Sequence, residues 1–361
     1  MALFEPVSIG TLRLPNRTVR SATMEYLSDE DGRPLDELSE MYCALAQGGV
    51  GLIIAGHAYV HPSGRCRVQM SGMHDDALIP DWAALVERVH EAGGRIAAQL
   101  NHGGRQCDPE AVDGALLAPS PIALNDESPR PQELSERQIE DLIRAFGDAA
   151  GRAKEAGFDA VQIHAAHGYL INCFNSPATN WRRDAWGGTF PGRARFLEQV
   201  ALAVRDAVGT GYPVLIKLGC VDFVRDGLTE DDGVEIIRHL ADMGLDGVEI
   251  SGGIGGGSTR TGIRAPADEA YFLPIARKAR YATDLPIVLV GGLRSREVME
   301  RVLDEGSADL ISMCRPLIRE PELVNRMHEG QPAATCISCN KCWPLSGELG
   351  VSCHYVAPED T

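Results

Sequence analysis

The chain lacks any run of roughly 18 apolar residues, the length a bilayer-crossing helix needs. Its amino end, MALFEPVSIG, lacks a basic stretch with an apolar one behind it. The first absence argues against a transmembrane helix and the second against an export signal, so the expected location is the cytoplasm. Basic residues are also in deficit. Against 51 Asp and Glu stand 34 Lys and Arg, a formal net charge of -17, and such a surface repels phosphate backbones and anionic lipids. Neither nucleic acid nor a membrane is expected as a partner. Internal repeats and low-complexity linkers are missing as well. No G-x-G-x-x-G follows the first apolar run, which counts against a doubly wound dinucleotide-binding sheet.

What the chain does have is alternation. Short runs rich in Val, Ile and Leu are separated by amphipathic stretches of helical length, the pattern of a parallel sheet covered by helices. Strands are predicted at Thr18–Ala22, Gly51–Ala55, Arg95–Leu100, Ala160–His164, Val214–Lys217, Gly247–Ser251, Ile287–Val290 and Leu310–Met313. Helices are predicted at Glu37–Gln47, Pro80–Ala92, Glu136–Ala156, Pro191–Val208, Glu230–Met243, Glu269–Ala282 and Arg296–Glu305. Ser135 with Gln138, and Thr229 with Asp232, have capping-box spacing, while Gly157, Gly209, Gly244 and Gly306 follow helix ends. Eight strands each followed by a helix make an α/β (β/α)8 TIM barrel, with PVSIGTLRLPN as an N-terminal hairpin plug. Residues 1–330 are read as that barrel and 331–361 as a C-terminal Cys-rich segment packed on it.

In such barrels chemistry collects at the carboxyl ends of the strands. Here those ends are polar: TME, GHAY, NHGGRQ preceded by Gln99, HAAHGY, Lys217, SGGIGGG, GGLRS and CRPLIREP. The ends of strands seven and eight are where this fold usually holds phosphate. Gly291, Gly292 and the Cys314–Arg315 backbone suit that task, supported by Gly252 and Gly253. Paired glycines that merely turn the chain are the competing explanation. Tyr26, His57, Tyr59 and His102 also lie at strand ends, divided evenly between substrate contact and loop packing.

The stretches LFEPVSIGTLRLPNR, QLNHGGRQ, HAAHGYL, SPATNWRRDAWGG, VGGLRS and SCNKC together resemble the Old Yellow Enzyme family of FMN oxidoreductases. Within that family the branch holding the barrel domains of 2,4-dienoyl-CoA reductase and trimethylamine dehydrogenase is the nearer likeness. The resemblance implies that Ala22, Thr23 and Met24 line FMN with their backbone and that Gly56 sits at its edge. It further implies that Gln99 bonds the pyrimidine part of the ring and that Lys217 stands near N1 and O2, where a fixed cation favours the anionic reduced flavin. A solvent-facing Lys217 is the plainer alternative. The chain departs from the family at Cys314, usually Gly, and at Thr23 and Glu25, where many members have Pro and Cys.

Hydride transfer to the β-carbon of an enone or enoyl thioester places negative charge on the carbonyl oxygen, and two neutral imidazoles can donate to it. His164 and His167 are the expected donors. The α-carbon then needs a proton, which the phenol of Tyr169 can supply. The expected activity is an NAD(P)H-dependent ene-reductase acting on a small activated alkene. The alternative explanation is that the histidines only satisfy buried carbonyls while Tyr169 packs under a loop.

Of ten cysteines, Cys43, Cys66, Cys107, Cys173, Cys220 and Cys314 are scattered, whereas Cys336, Cys339, Cys342 and Cys353 crowd into C-x2-C-x2-C-x10-C. That spacing reads as a ligand set. It resembles, with a shorter loop between the second and third cysteines, the [4Fe–4S] segment of dienoyl-CoA reductases, which pass electrons from a separate flavin domain. This sequence, ending at Thr361, is expected to hold no such domain. Three readings stay open: a cluster fed by a redox partner protein, zinc or a cluster kept for structure, and four thiols without metal. An electron-transfer component is therefore one competing function. A phosphate-binding aldolase or isomerase using Lys217 is another, and it leaves Gln99 and both imidazoles unexplained. A homo-oligomer is a further partner left open.

Overall fold

The computed structural model describes residues 1–255, 263–346 and 348–356. The last glycines of SGGIGGG and the final residues to Thr361 lie outside the described residues. Strands β1 (Val7–Ile9) and β2 (Leu12–Leu14) form an antiparallel hairpin. There follow β3 (Thr18–Arg20), β4 (Leu52–Ile54), the short β5 (Ala58–Tyr59), β6 (Ile96–Asn101), two-residue β7 (Leu117–Ala118) and β8 (Gln132–Glu133), then β9 (Ala160–Ala165), β10 (Val214–Gly219), β11 (Gly247–Ser251), β12 (Ile287–Leu289) and β13 (Leu310–Met313). Strands β3, β4, β6 and β9 to β13 are all parallel neighbours, and β13 returns to β3 through the pair Ile311↔Thr18. The sheet is thus a closed eight-stranded barrel, as the alternation of apolar runs predicted. Burial on both faces explains why these strands read as continuous aliphatic runs.

Helices α1 (Asp36–Gln47), α2 (Ile79–Glu91), α3 (Glu136–Glu155), α4 (Leu170–Asn175), α5 (Phe190–Val208), α6 (Glu230–Leu240), α7 (Leu273–Arg280), α8 (Arg296–Asp304), α9 (Arg315–Arg319) and α10 (Leu323–His328) connect the strands. Both capping boxes are present, Ser135 with Gln138 and Thr229 with Asp232. Helix α7 is shorter than predicted. Pro274 sets its first turn, and the expected first residue, Glu269, turns its carboxylate to the Arg294 and Ser295 N–H groups (2.8 and 2.9 Å) and caps the N-terminus of α8 instead.

The hairpin does plug the barrel. Ile9, Leu12 and Leu14 join Val19, Leu52, Ile54, Ala97, Ala160, Leu215, Val288 and Leu310 in one buried apolar cluster. Each aliphatic side chain so buried contributes about 1.5–3 kcal/mol. Strand side chains repeat with period two, so the residues two further on also point inward. From Val19, Ala97, Ala160, Leu215 and Leu310 that step leads to Ser21, Gln99, Gln162, Lys217 and Ser312. The barrel interior therefore changes from apolar to polar towards its carboxyl end.

Candidate active site

The centre of that polar layer is Glu249 on β11, fully buried. Its Oε1 accepts from Ser21 Oγ (2.7 Å), Lys217 Nζ (2.9 Å) and Ser312 Oγ (2.8 Å), and its Oε2 from Gln162 Nε2 (3.0 Å). Lys217 Nζ also donates to Ser21 Oγ at 2.7 Å. Burial by itself pushes the Glu249 carboxyl up. The Lys217 ammonium and the two hydroxyls outweigh it and hold the group below the ordinary carboxylate value. Gln99 Nε2 extends the chain by donating to Gln162 Oε1 at 2.6 Å. Sequence reasoning singled out Lys217 and Gln99 and missed Glu249. The signal was a lone carboxylate inside the apolar run GVEIS.

Above this layer lies a cavity of about 390 Å³. Of the residues expected to hold a cofactor, Ala22, Lys217, Gly292, Cys314 and Arg315 line it, and so do His167 and Tyr169. Gly291 adjoins Gly292, and both have positive φ (129° and 72°), as does Gly253 (96°). Thr23 contacts Cys314 Sγ at 2.8 Å, and Met24 packs beside Tyr59, Cys66 and Met70. Gln99 is 1% exposed and is engaged by Gln162, so it belongs to the buried layer beneath. Gly56 is held from behind: its N–H reaches Glu25 Oε1 (3.1 Å) and Tyr42 Oη (2.9 Å), while Arg20 pairs with Glu25 at 2.7 Å. A Cβ on Gly56 would fall 1.7 Å from Glu25 Oε2. The Glu25 departure from the family pattern thus has a structural task.

Three imidazoles and a phenol converge at one side. Ring centroids are 5.1 Å apart for His164 and His167, 4.9 Å for His164 and Tyr169, and 5.1 Å for His57 and Tyr169. The Ala166 N–H donates to His164 Nδ1 (3.3 Å), which leaves Nε2 as the donor of that ring. His167 Nε2 meets Ser251 Oγ at 2.7 Å, and its carbonyl accepts from Gln106 Nε2 at 2.6 Å. The backbone of His167 is left-handed, φ 62°, a conformation that non-glycine residues keep only when their surroundings impose it.

Burial lowers every one of these imidazoles. His57 falls to about 4 and His167 to about 3, the latter helped by the Lys217 cation, and His164 lies well below its ordinary value for the same reasons. Burial, reinforced by Cys66 and Tyr26, holds the Tyr169 phenol well above its ordinary value. At neutral pH the group is therefore a set of uncharged donors. His57, one of the four evenly divided candidates, belongs to it through Asn101 (2.9 Å) and Tyr169 (3.5 Å). Tyr59 and His102 are loop-packing residues: Tyr59 stacks on His74 and donates to Asp31 O, and His102 is bound to Ser63 and Gly104. Tyr26 meets Trp343 edge-on at 6.1 Å.

The Cys-rich segment closes the remaining wall. Ser338 and Trp343 line the cavity. Arg315 donates to Asn340 Oδ1 (2.5 Å), and Arg319 reaches Cys353 Sγ (3.1 Å) and Thr335 Oγ1 (2.8 Å). Cys336 and Cys342 are buried, and Cys339 and Cys353 are half-buried. Among the described residues, however, no three His, Cys, Asp or Glu side chains are gathered as a metal-binding group. No described helix is long and apolar enough to cross a membrane.

The family model for the NADH:flavin oxidoreductase / NADH oxidase family matches residues 2–334. An NADPH dehydrogenase of Geobacillus thermodenitrificans is 39% identical over 320 residues, covering 88% of this chain and 91% of that protein. An NADH oxidase of Thermoanaerobacter brockii is 35% identical over 342 residues, covering 94% of this chain and 52% of that protein. The chain thus spans about half the length of the latter relative. A 2-naphthoyl-CoA reductase, solved in complex with 2-naphthoyl-CoA, superposes with a TM-score of 0.89 at 28% identity over 94% of this chain and 54% of that one.

Proposed function

The chain belongs to the NADH:flavin oxidoreductase / NADH oxidase family, and on that premise we propose that it is an FMN-dependent ene-reductase. NAD(P)H and an activated alkene, an enone or enoyl thioester, would take turns at one site. The observation that carries this reading is the packing of neutral His164 against His167 and a protonated Tyr169, the last two of which line the cavity above the Lys217–Glu249 pair.

The residues present fit FMN. Lys217 offers a cation at the cavity floor, Ala22 backbone at its wall, and Gly291, Gly292, Cys314 and Arg315 a cradle for phosphate. Gly56 and Gln99 would hold the ring's surroundings in place from behind through Glu25 and Gln162. When bound, FMN would supply the two-electron hydride chemistry. His164 Nε2 and the ring of His167 bind the carbonyl oxygen and stabilise the negative charge that grows there. Tyr169 holds the proton that the α-carbon requires and is the donor for it. The tyrosinate left behind is desolvated and strongly basic, so it regains a proton from water. Burial keeps both imidazoles neutral, which prevents them from competing as acids.

Anaerobic half-reactions test the proposal. Reduction of the bound flavin by NADH or NADPH, followed by reoxidation with cyclohexenone, is the expected result. Reoxidation by dioxygen or by a redox protein, with no turnover of any alkene, would overturn it and favour an electron-transfer component. The partition into a barrel to residue 330 and a Cys-rich segment from 331 packed on it is common to both readings. A cluster in that segment rests on the C-x2-C-x2-C spacing, and the roles described above do not depend on one. Iron and acid-labile sulfide analysis of anaerobically purified protein decides it.

A further inference from the structure

Two of the scattered cysteines meet in space. Cys66 lies after β5 and Cys107 just beyond β6, and their segments are bound side by side: the Asp108 N–H donates to Cys66 O at 3.1 Å and the Gly103 N–H to Gly64 O at 2.9 Å. Both side chains are 4% exposed. A methyl group on Gly103 would lie 2.4 Å from Cys66 Sγ and 2.6 Å from Cys107 Sγ, so the two sulfurs flank a single point, and only glycine leaves room for both. The neighbouring Cys66 and burial push the Cys107 thiol well above the usual thiol value. Other contacts of the sulfurs are weak: Cys66 Sγ is 3.9 Å from Gly64 O, and Cys107 Sγ is 3.5 Å from Ser63 O. Tyr169, which lines the cavity, packs on the Cys66 side of the pair. Among the described residues no group of three His, Cys, Asp or Glu side chains gathers there.

We propose that Cys66 and Cys107 form a dithiol redox site beside the cavity, closed to a disulfide by hydroperoxides. The Cys66 sulfur, on the side of the pair that Tyr169 joins to the cavity, attacks the peroxide O–O bond, becomes a sulfenic acid and releases water or an alcohol. The second sulfur displaces hydroxyl from the first, the S–S bond forms, and a water leaves. The two thiols lose two electrons and two protons, and the peroxide gains them. The bond ties residues 103–107 to residues 64–66. Gln106, adjacent to Cys107, is the residue that donates to the carbonyl of His167, so the oxidation state of the pair bears directly on how that imidazole is held. Cys43, Cys173 and Cys220 have no such sulfur partner: their thiols face the carbonyls of Arg88, Gly168 and Leu218.

The test uses the flavin-loaded protein, reduced, desalted, treated with a few equivalents of hydrogen peroxide and quenched with N-ethylmaleimide. Non-reducing chymotryptic mapping should recover a peptide pair joining Cys66 to Cys107 in most molecules, cleaved by dithiothreitol. In Cys107→Ser the Cys66 sulfenic acid should become trappable by dimedone, at several-fold higher occupancy than in wild type, and in Cys66→Ser no such adduct should form on Cys107. Recovery of both thiols as separate N-ethylmaleimide adducts while Cys336–Cys353 are oxidised would overturn the proposal. So would cross-linking of either one to a different cysteine. The wild-type map decides the question even if a serine variant fails to fold, and it does not depend on whether the protein reduces alkenes.

Discussion

Lys217 Nζ and Glu249 Oε1 form an ion pair 2.9 Å long between adjacent strands, with side-chain exposures of 4% and 0%. The register Lys217↔Glu249 on β10 and β11 places the two side by side, and Lys217↔His164 on β10 and β9 puts the cation next to the histidine cluster. Two unlike charges so placed hold each other, and neither can be removed alone without stranding its partner.

Glu249→Gln keeps the shape of the side chain but leaves the ammonium unpaired, at a cost of about 3–5 kcal/mol. Lys217→Met should cost a similar amount, and the double variant should recover a large part of it. Urea unfolding of the four proteins forms the cycle. A double variant as unstable as the two losses added together would show that the pair is not coupled. Because the folded carboxyl sits below its ordinary value of about 4.3, its contribution is present above that pH and disappears as pH falls through the lower folded value.

The histidines give the opposite kind of group but the same direction with pH. Unfolded, each takes a proton near about 6.5. Folded, His57 waits until about 4, and His102 and His167 until about 3. Between those values the unfolded chain binds more protons, so stability falls as pH is lowered below 6.5, by up to about 1.4 kcal/mol per pH unit for each histidine. Urea midpoints at pH 7.5 and 5.5 should show the drop, and His102→Asn should reduce it by one histidine's share. An unchanged slope would remove His102 from the account.

Tyr169→Phe takes away the proton donor and leaves the imidazoles in place. Reduction of the flavin by NAD(P)H should be nearly unaffected while reoxidation by an enone slows. His164→Ala and His167→Ala should instead weaken phenolate ligands and slow alkene reduction, each by about 10²–10³ in rate, because a phenolate oxygen stands where the enolate oxygen forms. Stopped-flow traces of each half-reaction separate the roles. A Tyr169→Phe protein slowed only in flavin reduction would contradict them.

Arg315→Ala should weaken FMN binding by about 1.5–3 kcal/mol, the loss of one charge-assisted contact. Because Arg315 also holds Asn340, the same change should speed proteolysis within residues 331–356. Flavin titration and a timed protease digest measure the two effects. Undiminished flavin affinity would assign the phosphate to the backbone of Gly291, Gly292 and Cys314.

The sequence by itself determined the barrel and the residue types at its carboxyl end, because those signals are local. Continuous aliphatic runs, the Ser135 and Thr229 capping boxes and the clustering of polar residues after each run are all written within a few neighbours along the chain. HAAHGYL placed His164, His167 and Tyr169 together for the same reason. Only the tertiary structure decided which distant residues face one another. Glu249 became the partner of Lys217 through strand register, and Gln99 was drawn down to Gln162 rather than left at the cavity. Glu269 was diverted from starting α7 to capping the N-terminus of α8. Cys66 and Cys107, forty-one residues apart, met because Gly103 leaves space between their segments. Closing a sheet into a barrel sets inward side chains from different strands against each other, and that pairing depends on register and curvature that no single stretch of chain encodes.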